Sequence, residues 1–193
     1  MPHLILIAGP NGAGKSTAAP GILQGALAVS QFVNADTIAL GLSAFEPEGA
    51  AIQAGRVMLD RLHQLAADGE DFAFETTLAS RTFVPWIAKL KNQGYRFHLV
   101  FLTLPSPELA IERVAERVRL GGHNVPTETI RRRYFAGIRN FFNLFQPLAD
   151  SWRVYDNSAT EPHLIASGRG RNVELTTNIP VWNRLMEIRN ECK

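Results

Sequence analysis

Gly9-Pro10-Asn11-Gly12-Ala13-Gly14-Lys15-Ser16-Thr17 matches the pattern G-x-x-x-x-G-K-S/T of a phosphate-binding loop. The apolar run His3-Leu4-Ile5-Leu6-Ile7-Ala8 leads into it and a helix-compatible stretch leaves it, the strand, loop and helix setting this pattern requires. Each residue type has a mechanical reason. Glycines let backbone N–H groups turn inward toward phosphate oxygens, and the start of the following helix adds the positive end of its dipole. Lys15 is expected to reach the β- and γ-phosphates and Ser16 to ligate Mg²⁺. Residues 9–17 are therefore read as the binding loop for ATP or GTP. Pro20 falls in the second turn of the helix, where it removes a backbone hydrogen bond and is expected to kink it.

Outward from the loop, five apolar runs alternate with helical patterns, at residues 4–8, 32–34, 72–74, 97–102 and 152–155. That alternation predicts parallel strands joined by crossover helices, with both sheet faces covered. The expectation is a three-layer α/β fold with a five-stranded parallel sheet and a small helical lid over residues 113–133, all in one domain of 193 residues. Helices are predicted over residues 50–67, 80–93, 106–120, where Ser106-Pro107-Glu108 supplies a cap, an N1 proline and a first-turn acid, and from Thr127 to near Pro147. Tyr134, Phe135, Phe141, Phe142 and Phe145 are expected to be core rather than a stacking platform. The stretch after about residue 160 gives no clear reading.

A formal charge of +2 does not by itself indicate nucleic-acid binding; basic residues gather between Arg113 and Arg139, and a nucleic-acid partner is not expected. With Cys192 the only cysteine, an intramolecular disulfide is excluded and a reducing, cytoplasmic setting is the expectation. No stretch reads as a membrane span. There is no guanine-reading N-K-x-D or T-K-x-D sequence and no L-S-G-G-Q element of transporter ATPases. What remains is a compact kinase.

In open α/β sheets ligands bind beyond the carboxyl ends of the strands, which directs attention to Asp36 and Glu75. Asp36 is the candidate base for an acceptor hydroxyl, with a helix cap as its alternative role. Glu75 is suited to orient acceptor hydroxyls or a Mg²⁺-bound water, with Thr77 beside it. Phosphoryl transfer also needs positive charge on the transferring group. Arg113 and Arg117 share one helix face by their spacing, Arg119 points elsewhere, and Arg131, Arg132 and Arg133 fan round another helix. Asn157 and Ser158, after the fifth run, are placed for a turn or for contact with a base.

The phosphate loop, then Asn34-Ala35-Asp36, then Glu75-Thr76-Thr77-Leu78, then the arginine-flanked Gly121-Gly122-His123 together resemble the zeta toxin family, over residues 4 to about 158. Members of that family are P-loop kinases that phosphorylate the 3′-hydroxyl of the amino-sugar in UDP-N-acetylglucosamine and so block peptidoglycan precursor synthesis. The resemblance implies that Lys15 binds phosphate, that Asp36 is the base, that Glu75 and Thr77 contact the acceptor sugar and that Arg117 is the first lid arginine. It also implies an antitoxin protein as a partner. The second lid arginine departs from the family, because His123 stands before Pro126 in its place; His123 or one of the arginines at 131–133, such as Arg132, would have to substitute. A kinase for another hydroxyl acceptor (an antibiotic, nucleoside or free sugar) and a nucleotide-dependent toxin–antitoxin interaction protein remain the alternatives.

Overall fold

The computed structural model describes residues 1–23, 29–43, 49–122 and 124–190. Seven strands form one sheet: β1 (His3–Ala8), β2 (Gln31–Val33), β3 (Phe72–Thr76), β4 (Arg96–Thr103), β5 (Ser151–Asp156), β6 (His163–Arg169) and β7 (Asn172–Thr176), in the order β2-β3-β1-β4-β5-β6-β7. The first five are parallel to one another, as the alternating pattern predicts. The sheet is wider than the five strands expected, because β6 and β7 add an antiparallel ribbon beside β5. β7 does alternate polar and apolar residues, Asn172-Val173-Glu174-Leu175-Thr176, a short strand signal that the five-strand expectation did not use, although the strand is exposed along almost its whole length.

The pleat of β1 divides the core. Leu4 and Leu6 enter the large cluster, whereas Ile5 and Ile7 enter a small one with Ala19 and Leu23. The small cluster is covered by α1 (Lys15–Leu23), which continues past Pro20, a residue with no N–H to donate. The large cluster takes side chains from α3 (Ala51–Ala67), α4 (Phe83–Asn92), α5 (Pro107–Arg119), α6 (Thr127–Asn140) and α7 (Ile179–Asn190). α2 (Ala35–Leu42) follows β2 directly.

Helix starts follow local chemistry. Ser106 accepts from the Leu109 N–H at the head of α5. Asn34 caps α2 by accepting from the backbone of Asp36 and Thr37, which leaves Asp36 in the first turn with its side chain not spent on a cap. Thr127 opens α6, with Pro126 at the cap position and no side-chain cap bond. The aromatic tail expected to finish that helix leaves α geometry at Phe141: residues Phe141–Phe145 form a π-helical turn and Gln146–Leu148 a 3₁₀ turn. The wider turn buries Phe141, Phe142 and Phe145 together, and Tyr134 is buried one segment earlier. Trp182 of α7 closes over this cluster, stacked on Trp152 with ring centroids 5.6 Å apart.

Candidate functional site

The carboxyl ends of four parallel strands converge on the phosphate loop: β1 runs into residues 9–14, β2 into Asn34 and Asp36, β3 into Glu75 and Thr77, and β5 into Asn157 and Ser158. Gly14 has φ +74°, and a Cβ there would lie 2.7 Å from Asn157 Nδ2, so both its conformation and its neighbour demand glycine. That neighbour is an anchor. Asn157 is buried, and its Nδ2 donates to the Ala13 carbonyl at 2.7 Å.

Arg113 does not extend toward the lid. Its guanidinium donates to the carbonyls of Asn157 and Ser158, both at 2.7 Å, and thereby fixes the loop that holds Ala13. Asp156 accepts from the Ser158 N–H, the turn chemistry expected of this segment.

Ser16 and Glu75 are in direct contact, Oγ to Oε2 at 2.9 Å, and Asn34 Nδ2 donates to the same hydroxyl at 3.1 Å. Lys15 donates to the carbonyls of Gly9 and Pro10, each at 3.0 Å. Burial pushes the Lys15 amine below its ordinary value, Glu75 and Asp36 oppose that shift, and Arg117 and Arg133 add to it. Burial also raises the Glu75 carboxyl, against the pull of Lys15 and the Ser16 hydrogen bond. Glu75, Asp36, Arg117 and Arg133 thus all lie within electrostatic reach of Lys15. Ser16 and Glu75 supply hard oxygen atoms side by side, a donor set that suits Mg²⁺ bound together with phosphates and water.

Two cavities flank the loop, and successive loop residues face different ones. The larger, about 810 Å³, is lined by Gly12, Gly14 and Thr17 together with Arg113, Tyr155 and Asn157. It continues over the face of β4 and β5 to His98 and Ser151, whose side chains are hydrogen-bonded at 2.7 Å. The smaller, about 530 Å³, is lined by Asn11 and Lys15 together with Asp36, Glu75, Thr77, Arg132 and Arg133.

Of the remaining candidates, Arg119 lies outside this assembly, largely exposed and paired with Glu116 at 2.9 Å. His123 lies outside the described residues, as does Cys192. Arg131 pairs with Glu108 at 2.6 Å. Among the described residues, Arg113, Arg119 and Arg131 of the basic run are thus held by three different sets of partners. Among the described residues no helix is long and apolar enough to cross a membrane.

Arg133 was not singled out by sequence reasoning, yet it reaches the phosphate loop, with Nη1 3.5 Å from Asn11 Oδ1. A signal for it existed. Gly137 lies four residues on, and a Cβ there would meet the Thr77 carbonyl oxygen at 2.5 Å. A glycine inside a helix marks a close backbone approach, and the residue four before it points the same way.

A mostly parallel sheet with a phosphate loop at the end of β1 and acids at the ends of β3 and β2 on one side of it defines a P-loop, kinase-like nucleotide-binding domain. The chain belongs to the AAA domain family, whose profile matches residues 4–134. An uncharacterized protein of Haemophilus influenzae is 28% identical over 130 residues, 67% of this chain and 91% of that protein. The AvrRxo1-ORF1:ORF2 structure with ATP matches with a TM-score of 0.72 at 16% identity, covering 100% of this chain and 65% of that one. This chain therefore spans slightly less than two thirds of that protein's length. A structure from the PezAT chromosomal toxin–antitoxin system of Streptococcus pneumoniae matches with a TM-score of 0.67 at 17% identity, covering 100% of this chain and 80% of the other. At such identities the likeness is one of fold.

Proposed function

We propose that this chain forms a kinase domain that transfers the γ-phosphate of ATP or GTP to a hydroxyl of a sugar nucleotide. The 3′-hydroxyl of the amino-sugar in UDP-N-acetylglucosamine is the leading acceptor. One observation carries the reading: Asp36, Glu75 and Thr77 line the same cavity as Lys15, while the larger cavity opens from the other side of the same loop. A donor and an acceptor held in those two cavities would meet at the phosphate loop. The zeta-toxin-like spacing of these residues and the PezAT-like fold support the acceptor assignment.

In this mechanism the nucleotide occupies the larger cavity, its phosphates within the loop N–H groups of residues 9–17, and the Lys15 amine exchanges its two carbonyl partners for phosphate oxygens. The acceptor hydroxyl oxygen attacks the γ-phosphorus, the bond from that phosphorus to the β–γ bridging oxygen breaks, and the hydroxyl proton passes to the Asp36 carboxylate. Lys15, Arg117 and Arg133 neutralise the charge that spreads over the transferring oxygens. Mg²⁺ would be held by Ser16 directly and by Glu75 through water, and when bound supplies positive charge to the phosphate oxygens. Arg113 and Asn157 act on the nucleotide side by fixing the loop. An antitoxin-like protein partner belongs to the same reading.

Incubation with ATP, Mg²⁺ and UDP-N-acetylglucosamine, read by mass spectrometry, tests the proposal. One added phosphate on the sugar nucleotide is expected, and its absence at any enzyme concentration removes this acceptor.

A further inference from the structure

The turn that follows β3 is held from two sides. Toward the phosphate loop, the Gly9 N–H donates to the Thr76 carbonyl at 3.2 Å. Within the turn, the hydroxyl oxygens of Thr76 and Thr77 accept from the N–H groups of Leu78 and Ala79. Leu78 itself is held at φ +56° with its side chain fully buried, a conformation that persists only where its surroundings over-determine it. The carbonyls of Thr77, Leu78 and Ala79 all meet α6.

α6 meets that turn with one face. Arg133, Gly137 and Asn140 recur at helical spacing and so line one side of the helix. Gly137 stands where a Cβ would lie 2.5 Å from the Thr77 carbonyl oxygen. Asn140 is buried, and its Nδ2 donates to the Leu78 carbonyl at 2.7 Å and to the Ala79 carbonyl at 3.3 Å. Arg133, about two turns earlier, places Nη1 3.5 Å from Asn11 Oδ1 of the phosphate loop. A closed circuit results: the loop to Thr76, the turn to Asn140, the helix to Arg133, and Arg133 back to the loop. Phe141 and Phe142, both buried, follow Asn140 directly and seat that end of the helix in the core.

We infer that Asn140 is a positioning residue for phosphoryl transfer. Its amide fixes the turn against α6, and through the helix it holds the Arg133 guanidinium where charge develops on the transferring group. Asn140 thus acts through Arg133 and not by contact with a substrate. A carboxamide is the group this place requires. A carboxylate of the same shape would set oxygen against two carbonyl oxygens, and alanine would leave both carbonyls without their side-chain donor. This rests on the kinase reading, in which Arg133 neutralises the transferring oxygens, and not on the identity of the acceptor.

Aluminium fluoride with ADP and Mg²⁺ mimics the transferring phosphoryl group and needs no acceptor, so the test is how far it tightens ADP binding, measured by calorimetry. Arg133→Gln and Asn140→Ala are each expected to lower that tightening about tenfold or more, with affinity for ADP and Mg²⁺ alone unchanged. Asn140→Asp should lose as much as Asn140→Ala. The double variant Arg133→Gln with Asn140→Ala should lose little more than Arg133→Gln by itself, because Asn140 acts through that arginine. Undiminished tightening in Asn140→Ala, or losses that add in full in the double variant, would overturn the inference. Gly137→Ala lifts α6 off the same turn with Asn140 in place, and takes over should Asn140→Ala not fold: a selective loss of tightening supports the inference, and full tightening overturns it. If aluminium fluoride does not tighten ADP in the wild-type protein, the kinase reading falls and the inference with it.

Discussion

The two cavities beside the phosphate loop are built on different principles. On the larger side, the groups nearest the loop are consumed by structure: Asn157 holds Ala13, and Arg113 holds the carbonyls of residues 157 and 158. On the smaller side, Asp36, Arg132 and Arg133 present charge to the open space. A nucleotide bound in the first is met mostly by backbone whose shape side chains maintain. A substrate bound in the second is met by the side chains themselves. Substitutions on the two sides should therefore fail differently.

The largest separation is expected from Asp36→Asn. Loss of the base should lower transfer by about 10²–10⁴-fold while calorimetric nucleotide affinity stays unchanged. A variant that keeps its turnover would break the assignment of the smaller cavity to the acceptor. Arg113→Met should act on the other side, through two lost charge-assisted bonds. Nucleotide affinity should weaken about tenfold with the acceptor KM unmoved, and a rise in acceptor KM alone would reverse the comparison.

The smallest effect is expected from Glu75→Gln, read as thermal stability against pH. Burial raises the Glu75 pKa above its ordinary 4.5, so between 4.5 and the raised value the folded state binds more protons than the unfolded state. Stability from this group is complete below 4.5 and is lost as pH rises through the raised value. The variant should accordingly melt higher than wild type at about pH 8 and lose that advantage on acidification. An equal gain below 4.5 would mean that the buried charge is not the cause.

The central architecture was legible because its signals are local. The β-branched and leucine run before the loop, the Ser106-Pro107-Glu108 helix start and the glycine pattern each fix a conformation within a few residues. β6 and β7 were not read, although Asn172 to Thr176 alternates polar and apolar residues: a five-residue alternation is a short signal, and β6 with Ser167 and Gly168 in its second half has none as regular. The π-helical turn escaped for another reason: five residues rich in phenylalanine fit an α-helix by periodicity, and only packing against Trp152 and Trp182 shows that the turn has widened. In the site, chemistry could be read but not aim. Arg113, Arg117, Arg119 and the run at 131–133 are equivalent as residue types. Which of them faces the loop depends on helix faces set by Gly137 against Thr77 and by Glu108 and Glu116 as local partners.

The bond from Asn157 to Ala13 spans 144 positions of sequence. The phosphate loop is therefore synthesised long before the residue that completes it. A nascent chain released only as far as β4 would have the glycine pattern without the clamp that shapes it. ATP would then act late, protecting the finished domain from proteolysis and leaving shorter chains as vulnerable as before.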